Sequence, residues 1–154
     1  MEKKEGTMPE KETLERAEED RREGKSPSSQ AGEFVREEIE HVREGRHGAR
    51  SAKQAIAIGL SKARRAGIKL RPPKKSKASK KTRMQAASDL RKGKSPGKKK
   101  SRKRSRATSK ALKRESRSAA SKTALSRQAR SAAAKRSAAS RSRAAKKAAK
   151  TRKK

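Results

Sequence analysis

Only 13 of the 154 residues are Leu, Ile, Val or Phe, and nine of these lie between Phe34 and Leu70. Packing is driven by apolar surface leaving water, so a packed core is expected around this segment and not elsewhere. The hydrophobic fraction is 27%, but 26 of the residues behind that figure are Ala. The large aliphatics and Phe fall well below the roughly 20% under which a highly charged chain is expected to be disordered. A globular domain of this length would bury about two thirds of its unfolded surface, which this composition does not support. The fold class read from these facts is mostly α with extensive disorder.

Charge is segregated in the same way. The net charge is +34, from 50 Lys+Arg against 16 Asp+Glu. Residues 1–44 hold 14 acids and 9 bases, residues 45–70 hold 7 bases and no acid, and residues 71–154 hold 34 bases with Asp89 and Glu115. Three parts follow: an acidic helical arm (1–28), a small αα-hairpin module (29–70) and a long basic low-complexity tail (71–154).

In the arm, Thr7-Met8-Pro9-Glu10 resembles a capping box. Leu14 and Ala17 offer one weak apolar face, Gly24 ends the helix, and Lys25–Ser29 reads as a linker. In the module, Ala31, Phe34, Val35, Ile39 and Val42 recur at helical spacing, with Glu33, Glu37, Glu40 and Glu44 on the wet side and Gly45 as terminator. After a short connection, Ser51 and Gln54 form a second capping box. Ala52, Ala55, Ile56, Gly59, Leu60, Ala63 and Ala66 then make another apolar stripe, closed by Gly67 and Pro72-Pro73. A hairpin of about 40 residues sits at the size where a core alone usually fails. It is expected to need a partner, self-association through residues 29–70, or a third helix. The tail is rich in helix formers, yet its cations repel one another. It is expected to be disordered alone and partly helical on a polyanion, over Thr108–Arg114 and Ser118–Arg136.

Several functions are excluded. No apolar run approaches the length of a membrane span, and the opening Met-Glu-Lys-Lys-Glu-Gly lacks the apolar stretch of a secretory signal. There is no Cys. His41, read as a surface group, and His47, read as a loop group, are the only histidines, and Glu37/Glu38 ahead of His41 read as a helical coincidence. No phosphate loop of the Gly-x-x-x-x-Gly-Lys-Ser/Thr type occurs. No enzyme, metal site or cofactor is expected.

The tail carries the functional signal. Lys98 to Arg106 alone places seven cations in nine residues. A chain of this kind calls for polyanion counter-charge, which a nucleic acid supplies through its phosphates. The candidate contacts are Lys74, Lys75, Lys80, Lys81, Lys98, Lys99, Lys100, Arg102, Lys103, Arg104, Arg106, Lys113, Arg114, Arg127, Arg130, Lys135, Arg136, Arg141, Arg143, Lys146, Lys147, Lys150, Arg152, Lys153 and Lys154. In the hairpin, Arg46, Arg50, Lys53, Lys62, Arg64 and Arg65 are auxiliary candidates, with a solvated helix face as the other reading. The tail contains Gln85 and Gln128 but no Asn and no aromatic. Base reading and base stacking both need groups that are missing. The expected partner is therefore double-stranded DNA, bound without sequence preference.

Two resemblances bear on this. The tail, with Ser95-Pro-Gly-Lys-Lys99 and its Ala/Lys/Ser repeats, resembles the C-terminal tails of linker histones and the histone H1-like proteins of bacteria. Gly32–Ile39, His47–Arg50 and Lys53–Ala63 resemble an uncharacterised family of small basic bacterial proteins, a domain of unknown function often labelled DNA-binding. The resemblance implies a bacterial source and a cytoplasmic, nucleoid-associated location. The leading function is thus DNA neutralisation, condensation or bridging by a histone H1-like protein. The alternatives are an RNA- or ribosome-associated basic protein, and an interaction adaptor whose hairpin is the functional part.

Overall fold

The computed structural model describes residues 9–95 and 101–152, and all regular structure in them is helical. In chain order the elements are α1 (Lys11–Arg22), α2 (Pro27–Arg43), α3 (Ala52–Arg65), α4 (Lys80–Lys94), α5 (Arg102–Lys113), a 3-10 turn (Arg117–Ala120), α6 (Lys122–Ala134) and α7 (Ala138–Arg152). None of these helices is long and apolar enough to cross a membrane.

The αα-hairpin forms as its periodicity predicts. Ser26 caps α2, accepting from the Ser29 N–H, with Pro27 in the first turn. The residues read as a linker therefore open the helix. Ser51 caps α3 by accepting from Gln54 N–H, while Gln54 Oε1 accepts from Arg50 N–H at 2.7 Å. Gly45 and Gly67 terminate the two helices at φ 77° and 101°. In that left-handed region a side chain is strained, and the following N–H groups reach back to the helix ends, Arg46 to His41 O and Ile68 to Ala63 O. Thr7 and Met8, proposed to open α1, lie outside the described residues. The N-cap of α1 is Glu10.

Extensive disorder in a long basic tail is overturned. Residues 80–94, 102–113, 122–134 and 138–152 are α-helical. Two physical features explain the difference. The Ser residues that look like low complexity are helix starts: Ser79, Ser101 and Ser121 cap α4, α5 and α6, and Ser137 Oγ accepts from Ser140 N–H at the start of α7. Each such cap contributes about 1 kcal/mol, and the Ala, Lys and Arg between them are strong helix formers. The second feature is a core built mainly from Ala, which a count of large apolar residues misses.

That core reaches beyond residues 29–70 on both sides. Phe34, fully buried, packs with Ala17 of α1, Ala31 and Ala63, flanked by Leu60, Ile68 and Leu70. Val42, Ala49 and Ala55 pack with Ala119 and Ala120 of the 3-10 turn. Ala86 and Asp89 of α4 are also buried. The third helix that the hairpin was expected to need is therefore within the chain, and α1 and the 3-10 turn add to it. Backbone bonds fasten the turn, with Gly48 N–H donating to Leu112 O and Ala49 N–H to Ser116 O. A Cβ on Gly48 would run into the Glu115 carbonyl.

Small residues let the helices approach closely. A Cβ on Gly59 would lie 2.6 Å from Val35 Cα and 3.0 Å from Phe34 O, both backbone atoms of α2. Gly59→Ala is therefore expected to push α3 off α2 and to cost about 1–3 kcal/mol, as overpacking does. A urea-unfolding midpoint equal to wild type would contradict the close approach.

Candidate nucleic-acid interface and a buried charge cluster

The structure separates the candidate cations into a solvated set and an internal set. Lys74 and Lys75 lie in the connection between α3 and α4, and Lys80 and Lys81 in the first turn of α4. Arg102, Lys103, Arg104, Arg106 and Lys113 lie on α5, and Arg114 just after it. Arg127 and Arg130 lie on α6, Lys135 and Arg136 follow it, and Arg141, Arg143, Lys146, Lys147, Lys150 and Arg152 lie on α7. All of these are exposed. Lys98, Lys99, Lys100, Lys153 and Lys154 lie outside the described residues. On α7, Arg143, Lys146, Lys147 and Lys150 follow the i, i+3, i+4, i+7 rule and share one face. Arg43, Arg117 and Lys122 surround an open depression beside the start of α6.

The auxiliary cations divide. Arg50 and Lys53 are exposed, and Arg50 lies 3.8 Å from Glu115. Arg46 is half-exposed and paired with Glu10 and Glu44. Lys62 and Arg64 face the interior, and Arg65 remains exposed while pairing with a buried acid. Arg64 is buried and donates from Nε to Leu70 O at 3.1 Å. Arg65 Nε donates to Asp89 Oδ1 at 2.8 Å, Gln85 Nε2 donates to the same oxygen at 3.2 Å, and Ser61 Oγ donates to Oδ2 at 2.7 Å. One of the tail's two acids thus anchors α4 to α3.

Burial is the largest influence on the Asp89 carboxyl and pushes its pKa up. The bonds from Ser61, Arg65 and Gln85, with the charge of Arg65, outweigh it and hold the group below its ordinary value. A carboxyl depressed in the folded state stabilises above its unfolded pKa, and that stability is lost as pH falls through the folded pKa. The stability gap between wild type and Asp89→Asn should therefore be constant above about pH 5 and narrow below about pH 4. Urea midpoints across that range check this, and a gap independent of pH would contradict the anchor.

A second cluster lies where α2, α3 and the connection between them meet. Glu37 and Glu38 are buried, contrary to the placement of Glu37 on the wet side of α2. His41 is also buried and is not a surface group. Lys62 Nζ of α3 lies 2.7 Å from Glu38 Oε2 and 3.5 Å from Glu37 Oε1. His47 Nε2 lies 3.2 Å from Glu38 Oε1. His41 Nε2 meets Glu10 Oε1 at 3.1 Å and Glu37 Oε1 at 3.9 Å, and the Glu10 backbone N–H donates to Glu37 Oε2. The bond from Arg46, then the one with His41, holds the Glu10 carboxyl below its ordinary pKa. Glu38, His41 and His47 are the described residues whose ligand atoms can meet at a metal.

A signal for this cluster was present in the spacing. Phe34, Glu38, His41 and Val42 stand at i, i+4, i+7 and i+8 on α2. Ala52, Ala55, Gly59 and Lys62 stand at i, i+3, i+7 and i+10 on α3. Both apolar stripes contain a charge, of opposite sign, and the two charges meet where the stripes pack.

Residues 24–75 match the sequence model of a family of unknown function, DUF6496. No curated protein and no solved structure matches the chain. The DUF6496 match covers a third of the chain, comprising α2, the connection, α3 and the segment to Lys75. It encloses Glu37, Glu38, His41, His47 and Lys62, and it stops before the basic helices α4–α7.

Proposed function

We propose that this chain binds double-stranded DNA without sequence preference, as a histone H1-like, nucleoid-associated protein of a bacterial cell. The observation that supports this is the disposition of charge over residues 71–152. The 20 described candidate cations of that stretch are all exposed, while of its two acids Asp89 is buried against Arg65 and Glu115 is part-buried, 3.8 Å from Arg50. The exposed helices therefore present cations with little local counter-charge. Duplex phosphates, one charge per about 1.7 Å of axis, supply it and release condensed counterions.

The mode follows from the same residues. Gln85 is spent on Asp89, and residues 71–154 contain neither Asn nor an aromatic. Phosphates are neutralised and bases are not read. Several basic helices attached to one packed hairpin can engage more than one duplex, which condenses or bridges DNA.

Fluorescence anisotropy with unrelated duplexes, and with structured RNA at matched phosphate concentration, tests the proposal. Similar affinity for every duplex and weaker displacement by RNA are expected. Equal displacement by RNA would remove the DNA assignment, and a strong preference for one duplex would remove non-specificity. A protein that stays monomeric in the ultracentrifuge, free and on DNA, would exclude bridging by self-association.

A further inference from the structure

Glu38, His41 and His47 bring one ligand atom each to within 4.8 Å of one another. Glu38 is wholly buried, and neither of its carboxylate oxygens completes a hydrogen bond. The charge of Lys62 approaches Oε2 at 2.7 Å, and Oε1 faces His47 Nε2 at 3.2 Å. On the other side of that ring, His47 Nδ1 lies 3.0 Å from Gly48 O. A carbonyl only accepts, so Nδ1 carries a proton, and without a second proton the ring presents its Nε2 lone pair to the carboxylate. Two acceptors facing each other in an interior require something positive between them, a second proton or a cation. An imidazole whose far nitrogen donates to a backbone carbonyl is the arrangement that orients a metal ligand. The His41 and His47 rings stand edge to face, with centroids 6.2 Å apart.

We infer that Glu38, His41 and His47 form a binding site for a divalent transition metal, with Zn2+ the ion best matched to two imidazoles and one carboxylate. Three such ligands suit a four-coordinate Zn2+ whose remaining position is taken by water. Lys62 stays beside Glu37 and the second oxygen of Glu38, offsetting their charge. The site joins α2 to the connection that follows it, the same strip whose Gly48 and Ala49 N–H groups hold Leu112 and Ser116. A bound ion therefore stiffens the seat on which the 3-10 turn and the basic helices around it are mounted.

Co2+ added to the full chain is the direct probe, because its visible absorption reports coordination. The chain has no Cys and only two His, so imidazole coordination can arise only here. Saturation at one equivalent is expected, with displacement by Zn2+ and shifts of both imidazoles in 1H–15N spectra. His47→Gln should weaken binding more than about a hundredfold. Lys62→Met removes the competing ammonium and should tighten binding about tenfold, one pKa-sized step in free energy, with a larger rise in melting temperature on adding metal than wild type shows. Absence of saturable Co2+ uptake by wild type would overturn the site, as would unchanged uptake in a His47→Gln variant of intact helix content. Should that variant not fold, the wild-type spectra decide. Histidine resonances unmoved by Zn2+ would mean that a proton, and not a metal, lies between His47 and Glu38.

Discussion

A rise in salt from 50 to 200 mM is expected to weaken binding of the full chain to a mixed-sequence duplex by about five decades, if about ten phosphates are engaged. The slope of log affinity against log salt would then be about −9. Helix α7 allows the source of the effect to be located. It buries no residue, so removing residues 138–154 leaves the core intact while taking away eight cations. If half of those touch phosphate, the slope becomes shallower by about 3 to 4, and affinity at 0.1 M salt falls on the order of a thousandfold. Anisotropy titrations at several salt concentrations measure both quantities. A slope that truncation leaves unchanged would move the DNA contacts away from the basic helices.

Glu38→Ala should be the most damaging single change in the hairpin. It leaves the Lys62 ammonium buried with only Glu37 at 3.5 Å, and it takes from His47 its partner at 3.2 Å. Breaking a buried pair from one side costs about 3–5 kcal/mol, chiefly because an uncompensated charge remains. For a chain of this size that corresponds to a fall in melting temperature of roughly 10 °C or more. The double variant Glu38→Met with Lys62→Met removes both charges at similar volume and is expected to recover most of the loss. Thermal and urea unfolding of wild type, Glu38→Met, Lys62→Met and the double variant form the required cycle. Equal damage in Glu38→Met and in the double variant would show that the pairing with Lys62 does not matter.

The hairpin was legible residue by residue. Ser51 with Gln54 marked one helix start, Gly45 and Gly67 marked two ends, and the stripes through Phe34 and Ala55 marked the faces that meet. These are local effects, in which a cap, a left-handed glycine or a 3.6-residue period acts within one or two turns. The charge cluster was half legible. Glu38 sits on the apolar stripe of α2 and Lys62 on that of α3, but Glu38 reads alone as a helical coincidence with His41, and Lys62 as a cation for phosphate or for solvent, until the stripes face each other. Helix in the tail was legible in its Ala, Lys and Arg content, but repulsion among its cations argued for disorder in the free chain. The Ser residues that cap its helices are recognised as caps only in the structure.

By itself, the sequence determined the hairpin and the segregation of charge. Both follow from composition and short-range spacing. Only the tertiary structure decided that Ala86, Asp89, Ala119 and Ala120 belong to the core, that Lys62 and Arg64 face the interior, and that Arg65, although exposed, pairs with the buried Asp89. It also decided that Glu38, His41 and His47 converge. The reason is that an Ala or a charge has no fixed place in a fold. Whether it is buried depends on how closely the neighbouring backbones approach, as at Gly48 and Gly59, and on whether a residue distant in sequence satisfies it.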